Sequence, residues 1–170
     1  TSDQLRLFGR SIRKSVELAA ELRARLREHP IRDIEDVKSM ARLDAASQQV
    51  LELPKLIADA FVGCVLSDKK VTDRNAGIES IAAFADAASS NNSEAAKALL
   101  NIGLRDLAKD EPNRRPRRPF HWPLEFPEVF RRESVGFDAI VANPPYLGGR
   151  MIRGANGEAY LDYLTNTLCP

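Results

Sequence analysis

Proline is distributed so unevenly that it divides the chain before any other signal is weighed. Only Pro30 and Pro54 fall in the first 110 residues, and the other eight of the ten fall in the last 60. A ring that fixes φ and removes a backbone donor is poorly tolerated inside a helix, so long helices are open to the first part and closed to most of the second. Aromatic residues divide the same way. Phe8, Phe61 and Phe84 are the only three before position 110, whereas eight lie between positions 120 and 163. The first part therefore reads as Ala/Leu-rich and helical, the second as irregular or mixed.

Leu5, Phe8, Ile12, Val16, Ala19, Leu22 and Leu26 recur at spacings of three and four, with Ser2 as a cap and Pro30 just past the end. This predicts one long amphipathic helix. A connecting segment over 31–38 leads into a second apolar stretch over 40–66, which Pro54 kinks or splits. Thr72 opens a third helix over about 74–88, with Ile78, Ile81, Ala82 and Ala85 on its apolar face. Asn91-Asn92-Ser93-Glu94 is a polar cap before a fourth, over 95–107. Together these predict an antiparallel helical bundle with short connections over 1–110. No internal repeat of solenoid period is present.

Residues 111–119 form a linker, in which Arg114, Arg115, Arg117 and Arg118 are available to contact a phosphate backbone, although a solvated charged loop is the commoner role for such a run. The net charge of only +1 argues against nucleic acid covering the whole surface and leaves a local basic patch open. With 44% hydrophobic and 29% charged residues the chain falls outside the disordered and collagen classes. No apolar run approaches the roughly 18 to 20 residues that a bilayer demands, so no membrane association is expected. Cys64 and Cys169 lie in no Cys-x-x-Cys or Cys/His cluster, so neither a disulfide framework nor a metal site is expected. Thr1-Ser2-Asp3-Gln4 has neither the basic flank nor the apolar core of a signal peptide, and the expected compartment is the cytoplasm. With no initiator Met and an end at Leu168-Cys169-Pro170, the chain is expected to be a piece of something longer.

The second part opens with Phe120-His121-Trp122-Pro123-Leu124-Glu125-Phe126-Pro127-Glu128-Val129-Phe130, and continues to Gly136-Phe137-Asp138-Ala139-Ile140-Val141-Ala142-Asn143-Pro144-Pro145-Tyr146. The apolar run over 137–142, bounded by Gly136 and a double proline, predicts a buried parallel strand. Polar residues then sit at its carboxyl end, where ligands bind in open α/β sheets. His121 and Trp122 read as packing residues, since a lone His offers no metal set.

Asn143-Pro144-Pro145-Tyr146, closing a strand that Phe-Asp opens, resembles motif IV of the S-adenosylmethionine-dependent methyltransferases that modify exocyclic or side-chain nitrogens. Two flanking features narrow the resemblance: the Trp-Pro-Leu-Glu-Phe-Pro block upstream, and Leu147-Gly148-Gly149-Arg150 followed by Gly154, Gly157, Tyr160 and Tyr163. Both are similar to the large DNA adenine methyltransferases of restriction-modification and phage-defence systems, particularly those that fuse methylation and cleavage in one chain, as in type IIG enzymes. The resemblance implies a mainly α chain, a helical bundle followed over 120–170 by a small α/β fragment of a Rossmann-like catalytic domain. It also implies double-stranded DNA as partner and S-adenosylmethionine as cofactor.

By the same resemblance Asn143, Pro144, Pro145 and Tyr146 are the catalytic residues. The exocyclic amine of adenine is a poor nucleophile because its lone pair is delocalised into the ring. The Asn143 side chain and the Pro144 carbonyl would accept its two N–H groups, with the two prolines fixing the backbone. Tyr146 would stack on a base flipped out of the duplex. Without the resemblance, Asn143 ends a strand, the prolines make a rigid turn and Tyr146 packs in a core. Gly148, Gly149, Gly154 and Gly157 are turn residues, with no Gly-Lys-Ser/Thr to make a phosphate loop. Arg150 and Arg153 serve equally as DNA contacts or as a solvated loop.

The sequence departs from the family in one respect. Neither a Phe-x-Gly-x-Gly turn nor an acidic residue closing a following strand is visible, so no cofactor-binding residue can be named and the isolated chain is expected to be inactive. Two other readings stay open. One is a methyltransferase acting on RNA or on protein glutamine. The other is a helical protein-binding or DNA-binding module, with Arg6, Arg10, Arg13 and Lys14 clustered on its first helix.

Overall fold

Five helices make up the first part in the computed structural model, which describes residues 2–66, 71–108, 118–133, 136–143, 151, 154 and 158–168. They are α1 (Ser2–Glu28), α2 (Ile34–Val50), α3 (Glu52–Val65), α4 (Val71–Ser89) and α5 (Ser93–Leu107). Helix α1 ends two residues before Pro30, and Arg25 and Arg27 in its last turn complement the negative end of the helix.

The segment over 31–38, expected as a connection, instead contains the start of α2. Asp33 is the cap: its Oδ1 accepts from the backbone N–H of Glu35 at 2.8 Å and of Asp36 at 3.0 Å. The split between α2 and α3 falls at Leu51 rather than at Leu53-Pro54. A proline ring collides with the carbonyl four residues earlier, here that of Val50, so the ladder breaks upstream of the ring while Pro54 is accommodated in the first turn of α3. At the same end of the bundle α4 gives way after Ser89 to Asn91, which takes a left-handed φ of 63°. Asn92 then caps α5, accepting from the N–H groups of Glu94 and Ala95 at 3.1 Å each.

The core is built largely from small side chains. Ile57, Ala60 and Cys64 of α3, Ile81, Ala85 and Ala88 of α4, and Ala95 and Leu99 of α5 form one buried cluster. Glycine allows α3 and α5 to approach more closely still. A Cβ on Gly63 would meet Asp106 and Leu107, and one on Gly103 would meet Ala60 and Asp59. Positions therefore rise together along the two helices, which makes α3 and α5 parallel. Three successive helices with short connections run up, down and up, so sequence neighbours are antiparallel while the first and third share a direction. The long α1 packs on α2 and α4.

The chain continues as two short turns of helix, α6 (Trp122–Glu125) and α7 (Pro127–Phe130). Further on come α8 (Glu158–Tyr163) and a π-helical turn (Leu164–Leu168). Among the described residues there is no strand, and the expected α/β fragment is not formed. The run over 137–142 is irregular, with Ile140 71% and Val141 99% exposed. A strand is held by the backbone of a neighbour, and a helical bundle offers none. No helix among the described residues is long and apolar enough to cross a membrane.

Candidate functional site

The residues expected to carry chemistry follow the block over 118–133, so the placement of that block comes first. Proline shapes it: Pro123 and Pro127 each occupy the first turn of a short helix, where a missing N–H costs nothing. The His121 carbonyl accepts from Leu124 N at 2.8 Å and Glu125 N at 2.9 Å, which closes α6. This geometry turns Leu124 inward, where it is buried with Ala19 of α1 and Leu51. Pro127 is fully buried as well. Two apolar side chains thus seat the block on the bundle, each contributing about 1.5–3 kcal/mol when removed from water.

Polar and charged contacts surround that apolar seat. His121 Nε2 lies 2.7 Å from Asp59 Oδ1 on α3. Lys55 Nζ, one turn earlier on α3, lies 2.8 Å from Glu125 Oε1. From α1, Arg27 Nη1 reaches Glu128 Oε1 at 3.1 Å and Arg23 Nη1 stands 3.7 Å from Glu128 Oε2. Arg23 also donates to the Glu125 carbonyl through Nη1 and to Ser47 Oγ of α2 through Nε, the latter at 3.0 Å. These pairs are partly exposed and add little net stability, so their main effect is to fix orientation rather than to add affinity.

On the outer side of the block the aromatic residues pack on one another. Trp122 meets Phe120 edge-on at 4.9 Å and Phe137 edge-on at 5.5 Å. Phe126 and Phe130 also meet Phe137 edge-on, at 5.3 and 5.8 Å. Gly136 takes a φ of +119°, open only to glycine without strain, and so turns the chain to deliver Phe137 to this cluster. Arg132 braces the turn, 3.3 Å from Asp138 Oδ2 and 3.3 Å from the Gly136 carbonyl. Beyond Phe137 the chain extends into solvent and reaches Asn143, which is exposed.

Among the predicted site residues Asn143 and Arg118 fall within the described set, and both are exposed. Pro144, Pro145, Tyr146, Arg114, Arg115, Arg117, Arg150 and Arg153 lie outside the described residues. Arg118 lines a cavity of about 730 Å³ together with Phe61, Leu107, Trp122, Tyr160 and Tyr163. A second cavity of about 560 Å³, lined by Ile12, Ile57, Phe61, Ile81, Phe120 and Leu124, lies between the helices and the block. Among the described residues neither cavity is lined by a carboxylate. No group of three or more His, Cys, Asp or Glu side chains is placed to hold a metal ion among the described residues.

Two displaced titrations belong to the scaffold. Asp106, buried at the end of α5, hydrogen-bonds Arg105 and raises its pKa. The Arg32 backbone N–H, donating to Asp36, lowers that carboxyl below 3.8. His121 was expected to be a packing residue, and its contact with Asp59 places it in the seat of the block. Arg23, Lys55 and Asp59 carried no functional signal in the sequence. Each is one charged residue on a helix face, and its partner stands tens of residues away.

The family model described as Eco57I restriction-modification methylase matches residues 7–167. No curated protein and no solved structure matches the chain.

Proposed function

The chain belongs to the Eco57I restriction-modification methylase family, and from that premise we propose that it supplies the helical region and motif IV of an adenine-specific DNA methyltransferase. In this reading residues 1–110 are the helical region, 111–119 a linker and 120–170 the motif IV segment of an incomplete catalytic domain. The enzyme would transfer a methyl group from S-adenosylmethionine to the N6 amine of adenine in double-stranded DNA. The observation that carries the proposal is the placement of Asn143. Its segment is anchored at Phe137 and its side chain stands in solvent six residues on, where a base could reach it. Ile140 and Val141, β-branched and exposed, further favour a segment that completes a sheet with other strands.

Among the described residues no cofactor site is formed. Among the described residues neither cavity beside the block offers a carboxylate for a ribose, and there is no strand for a Gly-rich turn to follow. No step is therefore assigned to the cofactor here, and the chain's own part is to hold the target amine. The Asn143 amide oxygen accepts one N–H of the flipped adenine and the Pro144 carbonyl accepts the other, localising the lone pair for attack. Tyr146 stacks on the base. Orientation of this kind provides most of the acceleration in a direct transfer. Arg114, Arg115, Arg117, Arg118, Arg150 and Arg153 are available to contact phosphates.

The test is methylation of duplex DNA with labelled S-adenosylmethionine. The complete enzyme is expected to label adenine N6, its Asn143→Ala variant to lose the activity, and residues 1–170 alone to show none. Full activity of Asn143→Ala would overturn the catalytic assignment, and labelling by 1–170 alone would overturn the incomplete domain. Label appearing in RNA or protein glutamine instead of DNA would replace the substrate.

A further inference from the structure

The structure assigns Arg23, in the C-terminal half of α1, as a positioning residue for Asn143, an inference that rests on the role proposed for Asn143 above. Arg23 is charged yet only 14% exposed, and it joins three parts of the molecule at once. Its Nε donates to Ser47, which is fully buried on α2. Its Nη1 donates to the carbonyl of Glu125, the last residue of α6, and faces Glu128 of α7. A guanidinium can make these bonds together because its donors form a rigid planar fork, whereas a lysine ammonium is a single point on a flexible stem.

The route from there to Asn143 is short. The carbonyl held by Arg23 adjoins Phe126, and Phe126 together with Phe130 of α7 makes two of the edge-on contacts that seat Phe137. Phe137 is where the segment ending at Asn143 leaves the block. Lys55 and Asp59 hold the same block from α3, through Glu125 and His121. The aromatic platform is thus held on its apolar seat from α3 on one side and from Arg23 on the other. Loss of Arg23 removes the α1 side, and small displacements at the platform are carried to the amide that must accept the amine. Misplacement by about 1 Å is enough to cost a reaction on the order of 100-fold.

Two measurements test this. In the 170-residue chain, Trp122 is the sole tryptophan, so its emission reports the platform, while the side-chain amide resonances of Asn143 report the segment. In the complete enzyme, kcat and KM are measured for DNA methylation. Arg23→Gln is expected to shift both spectroscopic signals and to lower kcat by about 10- to 100-fold with KM unchanged. Arg23→Lys should recover only part of the loss. Glu128→Gln, which leaves Arg23 in place, should move the same signals less and serves if Arg23→Gln does not fold.

Leu99→Ala is the control for stability alone. It lowers the melting temperature and, below the transition, leaves the Asn143 resonances and kcat where they were. The inference fails if Arg23→Gln and Glu128→Gln leave the Asn143 resonances unmoved, or if Leu99→Ala moves them equally. If Asn143→Ala is inactive while Arg23→Gln keeps full kcat, positioning fails alone. If Asn143→Ala stays active, the role of Asn143 fails, and the resonances still decide whether Arg23 places the segment.

Discussion

Two glycines on facing helices should respond in opposite directions to the same substitution. In a helix interior Ala is favoured over Gly by about 0.8–1.0 kcal/mol, because glycine loses more backbone freedom on folding. At Gly103 that gain is available. The nearest atoms to an added Cβ are Ala60 N at 3.4 Å and two Asp59 atoms at 3.6 Å, ordinary van der Waals contact. At Gly63 it is not. There the Cβ meets Asp106 Cβ at 3.1 Å, Leu107 Cγ at 3.4 Å and the Asp106 carbonyl carbon at 3.5 Å. A Cβ cannot rotate aside, so α5 itself must move by a few tenths of an ångström within a packed core. Overpacking of this kind costs roughly 1–3 kcal/mol, which exceeds the propensity gain. Gly103→Ala should therefore stabilise by about 1 kcal/mol and Gly63→Ala should destabilise by about 1 kcal/mol. For a chain of this length the 2 kcal/mol difference separates the melting temperatures by about 4–8 °C. Thermal melts followed at 222 nm by circular dichroism provide the assay. A Gly63→Ala variant as stable as Gly103→Ala would refute the register of α3 against α5.

Three further outcomes are expected. Asn92→Ala removes both acceptor contacts at the start of α5 and should cost about 1 kcal/mol, with protection lost first at the Glu94 and Ala95 amides; unchanged exchange there would count against the cap. The carboxyl of Asp36 is held below 3.8 chiefly by the Arg32 N–H, so its folded pKa lies under its unfolded one. The stabilisation it gives is present above the unfolded value and lost as pH falls through the folded one. Urea midpoints of wild type and Asp36→Asn should differ near neutrality and converge in acid below 3.8, and a constant gap would contradict this. His121→Ala removes the contact to Asp59 and should loosen the front of the block at a cost of about 1 kcal/mol, read as a change in Trp122 emission without loss of helix. An unchanged spectrum would place the seat elsewhere.

The helical part was readable because its signals are local. The repeat from Ile12 through Leu26 and the cap at Asn92 each involve residues within a turn or two, and both were found where expected. The start of α2 was legible in principle, since Asp33 followed by Glu35 and Asp36 is a good first turn, but Ile31 and Pro30 nearby made the stretch look like a connection. The register of α5 against α3 could not be read, because it depends on which glycine meets which neighbour. The run over 137–142 has the composition of a strand, yet composition cannot supply the partner that a strand needs. The site divides along the same line. Asn143 announces itself through its neighbours in sequence, whereas the charged residues that seat its platform are found only by their neighbours in space.

The bond from Arg23 to the Glu125 carbonyl spans 102 positions, whereas that from Arg23 to Ser47 spans 24. During synthesis at about 5–20 residues per second, some 5–20 s separate the appearance of Arg23 from that of its later partner. For that interval Ser47 is the partner within reach, and the inner face of α1 waits with a guanidinium oriented from one side. A nascent chain stalled before residue 125 would carry the helices without what closes them over Leu51 and Ala19. The helical bundle and the motif-bearing block are thus consecutive in manufacture but a single unit in the finished protein. Any cut placed between them for expression should leave Leu51 and Ala19 uncovered, and with them a sticky surface on the helices.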